Sequence, residues 1–367
     1  MKSYEELEKM FDKNEFRNID KEKNGEKFYY LRTISRLEIA KKYFKNNKLK
    51  KEDLTSKFNK LLEDDKFELE NIENFIIEEY KQQLENRKIT TKKILKELNE
   101  MNEFDWGGAY NNNLENKIIR EVKITPYYNK LKEKIEKDLS YSLKGYTLNS
   151  WYNHWSSILI EDIFKQHEKV LPTVGLIKKI DFFIERIPFD LKVTYFPEEF
   201  MKEKLKEKHF GIELTKVKQM CKSLSIEVKE EDKTERALNI QLQGLLKEND
   251  SEEAKQFLNK LNKMKMEIID EAINNPDELI KFLYEKQGER RFDASNRFFL
   301  ILVDENNYFE SWKLKRNFKL LKDKITTKLN SVSKQSIKEV DFYWEKEKSF
   351  YKVKYEILFI LKKQKKH

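Results

Sequence analysis

Asp181, Asp190 and Lys192 fall within one short stretch of this chain, IKKIDFFIERIPFDLKVTYF at residues 177–196. From 189 to 196 the stretch alternates. Phe189, Leu191, Val193 and Tyr195 fall on one side of an extended strand, and Asp190, Lys192 and Thr194 on the other. The run 177–184 is apolar apart from Asp181 and the two lysines near its start. Residues 185–188 (ERIP) predict a turn, with the proline ending the first run, so that 177–196 forms a β-hairpin with one side in a core. A carboxylate and an ammonium then project from one face of one strand, with a second carboxylate on its partner. Two nearby acids resist joint ionisation unless a cation lies between them. Mg²⁺ removes that conflict, because it is held by one or two carboxylates together with water and phosphate oxygens. A lysine beside such an ion can hold an attacking water and offset charge on a phosphorus-centred transition state. The chemistry that fits is metal-assisted hydrolysis of a phosphodiester.

Asp181, eight intervening residues and then Asp190-Leu191-Lys192 resemble the active-site signature of the PD-(D/E)xK nuclease superfamily, which includes many type II restriction endonucleases. The resemblance implies that Asp181 and Asp190 bind metal and that Lys192 serves the nucleophilic water. Ile180 stands where the family often has proline. The family also often draws a further acid from the helix before these strands. Glu161-Asp162-Ile163-Phe164 resembles that local pattern, with Glu161 at the matching position. On a helical wheel Asp162 falls nearer the middle of the apolar stripe and Glu161 at its edge, which favours Glu161 for a cleft without settling the choice.

The chain has 367 residues, enough for two or three domains. Its 75 Lys and Arg against 66 Asp and Glu give a formal charge of +9. That excess is clustered: 312–334 carries +7 and 351–367 carries +5, leaving −3 for the rest. A phosphate-binding face is expected near the C-terminal end, with Lys313, Lys315 and Arg316 as contact candidates and Arg297 beside them. The alternative is a solvated lysine-rich surface. Cys221 is the one cysteine, so neither a disulfide framework nor a cysteine-based zinc site is expected, and the expected compartment is reducing and cytoplasmic. There is no apolar signal segment or membrane-length run, and no P-loop glycine motif for ATP. His154 and His167 lack zinc-type spacing and read as structural or surface groups, and Trp151 and Trp155 as core.

Residues 1–145 read as helical, with apolar spacing of three and four over 31–44, 61–84 and 91–101, a break at 105–113, and helices over 114–122 and 127–143. This segment suits a scaffold, a DNA-recognition unit or a dimerisation element. A helix is expected over 149–170, capped by Asn149 or Ser150, then a short strand over 170–173 and the hairpin, which Pro197 stops. Helices follow over 200–208, 214–224, 235–247, 252–274 and 277–284. FFLILV at 298–303 predicts a strand buried on both faces, followed by a basic helix to about 329. Two strands over 340–344 and 350–361 are expected to add antiparallel to a sheet edge.

The expected fold is mixed α/β. A restriction-endonuclease-like αβββαβ core occupies 146–334, with a helical insertion at about 201–288. A helical segment precedes it over 1–145, and a β addition with a basic tail follows over 335–367. The expected function is Mg²⁺-dependent endonucleolytic hydrolysis of double-stranded DNA, in the manner of a type II restriction enzyme, without ATP. A homodimer would let two sites cut both strands. The alternatives are a non-catalytic nucleic-acid-binding or scaffolding protein, and a nuclease for RNA or branched DNA.

Overall fold

A computed structural model describes the chain except for residues 14, 88, 105–111, 176, 178, 228–234, 287–294, 346–347 and 364–367. The side chains of 112–117, 138 and 141 are also not described. The expected break at 105–113 therefore lies largely outside the described residues. Helices surround one six-stranded mixed sheet. The strands are β1 (Val170–Pro172), β2 (Phe182–Ile184), β3 (Ile187–Tyr195), β4 (Arg297–Asp304), β5 (Lys338–Trp344) and β6 (Ser349–Lys362). Their order across the sheet is β1-β2-β3-β4-β6-β5. β1, β2 and β3 form an antiparallel meander, and β4 lies parallel to β3.

β4 is buried along its whole length, as its unbroken apolar sequence requires. Phe299, Ile301 and Val303 face the helices between β3 and β4, meeting Leu261, Ile269 and Tyr284. Phe298, Leu300 and Leu302 face the other way, onto Ile160 and Phe164 of the helix Ser140–Lys165 and Ile325 of Phe318–Ser331. The first helices make a separate core that reaches Val174, Ile177, Ile180 and Phe183 around the hairpin. No helix among the described residues is long and apolar enough to cross a membrane.

Several expected bounds move, each for a physical reason. The helix expected over 31–44 is two, Gly25–Thr33 and Leu37–Tyr43, and 61–84 is divided between Glu52–Glu63 and Leu69–Glu85. The helices expected over 127–143 and 149–170 join instead. Tyr128–Lys134, a π-helical turn Ile135–Leu139 and Ser140–Lys165 run on without a gap, so Asn149 is interior and caps nothing. The expected boundary near 145 falls inside that run. Gly145 alone costs about 1 kcal/mol of helix, too little to break it.

The first arm of the hairpin is only Phe182–Ile184. Ile177 and Ile180 leave the sheet for the N-terminal core, and Lys179, at φ 71°, donates to the Phe11 carbonyl at 3.3 Å. The turn is Glu185-Arg186, both at positive φ (51° and 66°), as a two-residue hairpin turn requires. Pro188 does not end a strand but lies inside β3. Pairing with β4 begins only at Asp190, so Pro188 owes no donor on that side. At the far edge β6, not β5, meets β4, and it does so in parallel; β5 is the antiparallel outer strand.

Candidate active site

The alternation of β3 sends Leu191 into the core against Ile160 and Phe164 and leaves Asp190 and Lys192 on the opposite face. Their register partners on β4 are Arg297 and Phe299, so that face is the one covered by the helices between β3 and β4. Asp190 is buried and Lys192 half-buried. The Lys192 ammonium donates to Asp190 Oδ1 at 2.8 Å and lies in ion-pair contact with Oδ2 at 2.6 Å. The Asp190 backbone N–H donates to the Asn296 carbonyl at 2.9 Å.

Asp181 stands where β2 parts from β3. Its N–H donates to the Phe189 carbonyl at 2.8 Å, and its carbonyl accepts the Thr173 hydroxyl at 2.8 Å. Its Oδ2 accepts the Leu191 N–H at 2.7 Å. That N–H lies in the plane of the sheet, so the carboxylate occupies the open edge of β3 beyond the β2 ladder. Oδ1 has no hydrogen-bond partner among the described residues. Burial pushes the Asp190 carboxyl up to about 7 against the pull of Lys192, and the charge of Asp181 adds to the rise.

Glu161 comes from the helix Ser140–Lys165, which packs on the other face of the sheet. Burial raises its carboxyl; Lys165, 3.1 Å away, lowers it, and Asp181 raises it further. Asp181 is thus the charge felt from both sides. Asp162 is committed elsewhere: it accepts the Tyr80 hydroxyl at 2.9 Å and takes both terminal nitrogens of Arg87, one of them at 3.0 Å. It ties the first helices to the helix Ser140–Lys165, with both of its oxygens engaged. Among the described residues no group of three or more His, Cys, Asp or Glu is gathered to hold a metal, so Glu161 is not drawn into a three-acid cluster. Asp181 and Asp190 remain as a two-carboxylate set of hard oxygen donors, the number Mg²⁺ commonly takes from protein.

Of the four basic candidates, Arg297 and Lys315 are buried and Lys313 and Arg316 half-buried. Arg297 is fully buried, 3.7 Å from Asp190 Oδ2 and stacked over Tyr284. Arg316 donates to the carbonyls of Leu98 and Met101. Lys315 is buried, donates to Asn153 Oδ1 at 2.7 Å and lies over the Tyr195 ring. Lys313 pairs with Glu310 and lies over Trp312. His167 bonds Asn330 and the Lys169 N–H, and His154 packs edge-on against Trp155.

Two contributors escaped the sequence reading. Lys165 was findable from its i,i+4 spacing to Glu161. Asn296 was not: its side chain donates to the Pro188 carbonyl and accepts the Lys354 N–H, pinning β3 to β6 across the start of β4. No family model, curated protein or solved structure matches this chain.

Proposed function

We propose that this chain is a Mg²⁺-dependent endonuclease that hydrolyses phosphodiester bonds of double-stranded DNA, similar to PD-(D/E)xK nucleases of the type II restriction class. The observation that carries the reading is the pairing of Lys192 with both oxygens of the buried Asp190 at 2.6 and 2.8 Å, beside Asp181 at the fork of the sheet. The element order also supports it: a helix, a three-strand antiparallel meander, a helical crossover and a parallel buried strand follow the αβββαβ order that the motif implies.

Asp181 and Asp190 would hold the ion; Glu161, paired with Lys165 on the helix across the sheet, would stand on the Asp181 side of it, outside the two-carboxylate set. Mg²⁺ bound there supplies charge neutralisation at the scissile phosphate and acidifies a water. Each residue's part follows from its surroundings. Leu191 N–H holds the Asp181 carboxylate in one orientation with Oδ1 open. Lys192 and Arg297 both place positive charge beside Asp190 Oδ2, at 2.6 and 3.7 Å. Lys192, half-exposed, has ammonium protons beyond the one given to Asp190 Oδ1 with which to orient water or a phosphoryl oxygen. Positioning of this kind is where phosphoryl chemistry draws most of its acceleration.

The test is to incubate purified chain with supercoiled and linear duplex DNA, RNA and branched DNA, in Mg²⁺ and in EDTA. Metal-dependent scission of duplex DNA is the expected result. Scission confined to RNA or junctions changes the substrate class. Retained binding without scission across varied, unmodified DNA makes the chain a binding protein.

A further inference from the structure

Large apolar side chains exposed on this protein concentrate in one place. Among the described residues, nine of the thirteen lie between positions 118 and 148. They belong to the helix Asn112–Ile124 and to the first part of the run Tyr128–Lys134, Ile135–Leu139 and Ser140–Lys165. The short link at Thr125-Pro126-Tyr127 and an ion pair between Lys134 and Glu121 make the two into a helical hairpin. Ile118, Ile119 and Val122 stand exposed on the first arm. Tyr128, Ile135 and Leu143 stand exposed on the second, seven and eight residues apart, which returns them to one side of a helix.

We propose that this hairpin is a self-association surface, covered by the same hairpin of a second copy of the chain in a four-helix bundle. Two helices bury one seam between them, whereas four enclose a core. Nine exposed large apolar side chains gathered on one helical hairpin are uncommon on a monomer. The nine side chains expose on the order of 800 Å², about what each partner of a standard interface buries. The charges on the arms also suit a copy of themselves. Over 118–148 four acids lie among seven basic residues, and Glu121 and Glu133 already pair with Lys134 and Lys137 within the hairpin, so a two-fold partner meets a mixed rim of both signs around the apolar stripe. A nucleic acid would gain a net charge of only +3 over 118–148 and would leave the apolar stripe uncovered.

This inference does not depend on the hydrolytic reading, but it bears on it. The same helical run continues to Glu161, about 40 Å from Ile135 at 1.5 Å per residue. Association through the hairpin would hold two sites in a fixed relation.

The test is analytical ultracentrifugation of the full chain beside Val122→Asp/Ile135→Asp, with Ile212→Asp as an exposed apolar control outside the hairpin. The wild type and the control are expected to be dimers at micromolar concentration. The double variant is expected to dissociate at least 100-fold more readily, with unchanged far-ultraviolet circular dichroism. A monomeric wild type at 50–100 µM overturns the proposal, as does a double variant that stays dimeric. If that variant misfolds, hydrogen exchange on the wild type decides: protection over 118–148 must rise with protein concentration, and a dimer without it contradicts the assignment.

Discussion

Lys192 Nζ lies 2.6 Å from Oδ2 and 2.8 Å from Oδ1 of Asp190, two residues earlier on the same strand, so one ammonium serves both oxygens of a buried carboxylate. Burial still outweighs that partner and lifts the carboxyl to about 7. A buried acid raised this far by burial, with a second acid adding to the rise, costs stability wherever it is ionised.

That cost has a pH window. Between the ordinary value of 3.8 and about 7 the folded chain binds more protons at Asp190 than the unfolded chain, so stability falls as pH rises through it. Asp190→Asn should therefore raise the unfolding free energy at pH 8 by about 1–3 kcal/mol, and the melting midpoint with it. The gain should vanish below pH 4. Thermal melts of both proteins without metal, from pH 4 to 8, test this; a gain that is constant with pH would contradict it.

Asp162 and Glu161 should separate by phenotype. Asp162→Ala strips Tyr80 and Arg87 of a shared buried acceptor and should cost about 2–4 kcal/mol in urea unfolding. Glu161→Gln loses one partly exposed pair with Lys165 and should cost less than about 1 kcal/mol. Equal costs would mean that Asp162 is not the tether between the helices.

How much of this was legible follows from the kind of signal each feature carries. The helix Glu252–Asn274 was readable to its ends, because Ser251 caps it and accepts the Ala254 N–H, and its apolar residues repeat at helical spacing. Asp190-x-Lys192 was readable because a period of two fixes which residues share a face. The run 177–181 misled, because an apolar stretch looks the same whether it enters a sheet or a neighbouring helical core. The Glu161 and Asp162 pair was ambiguous on a wheel, since the deciding partner, Arg87, lies 75 residues away. The insertion of β6 between β4 and β5 is a long-range pairing with no local signature. The basic residues near 315 were read as surface because composition reports charge and not direction; Lys315 points inward to Asn153.

Lys315 supplies a second pH test, of opposite sign. Burial lowers its ammonium from 10.5 to about 8. In that range the unfolded chain binds more protons than the folded chain, so stability rises with pH. Lys315→Met should stabilise the protein at pH 7 by about 1–3 kcal/mol, after loss of the Asn153 bond, and the gain should shrink toward pH 10.5. A destabilised variant at pH 7 would show that Lys315 has an anionic partner.

Gly175 holds the loop after β1 against the N-terminal helices. A Cβ there would come within 2.3 Å of the Thr33 carbonyl oxygen, beside the Val174 N–H that donates to Thr33 Oγ1. Gly175→Ala should cost about 2 kcal/mol or more through backbone displacement. Unfolding in urea measures it, and an unchanged midpoint would mean that this loop yields freely.

The central claim is that Asp181, Asp190 and Lys192 form one hydrolytic unit. Its most direct test is the single-turnover rate of duplex DNA cleavage in Mg²⁺ for Asp181→Asn, Asp190→Asn, Lys192→Ala and the triple variant. Residues acting as a unit predict a loss of about 10³-fold or more for each single change, with the triple no worse than the worst single. Mg²⁺-dependent cleavage that survives all three single changes within about tenfold would place the chemistry elsewhere.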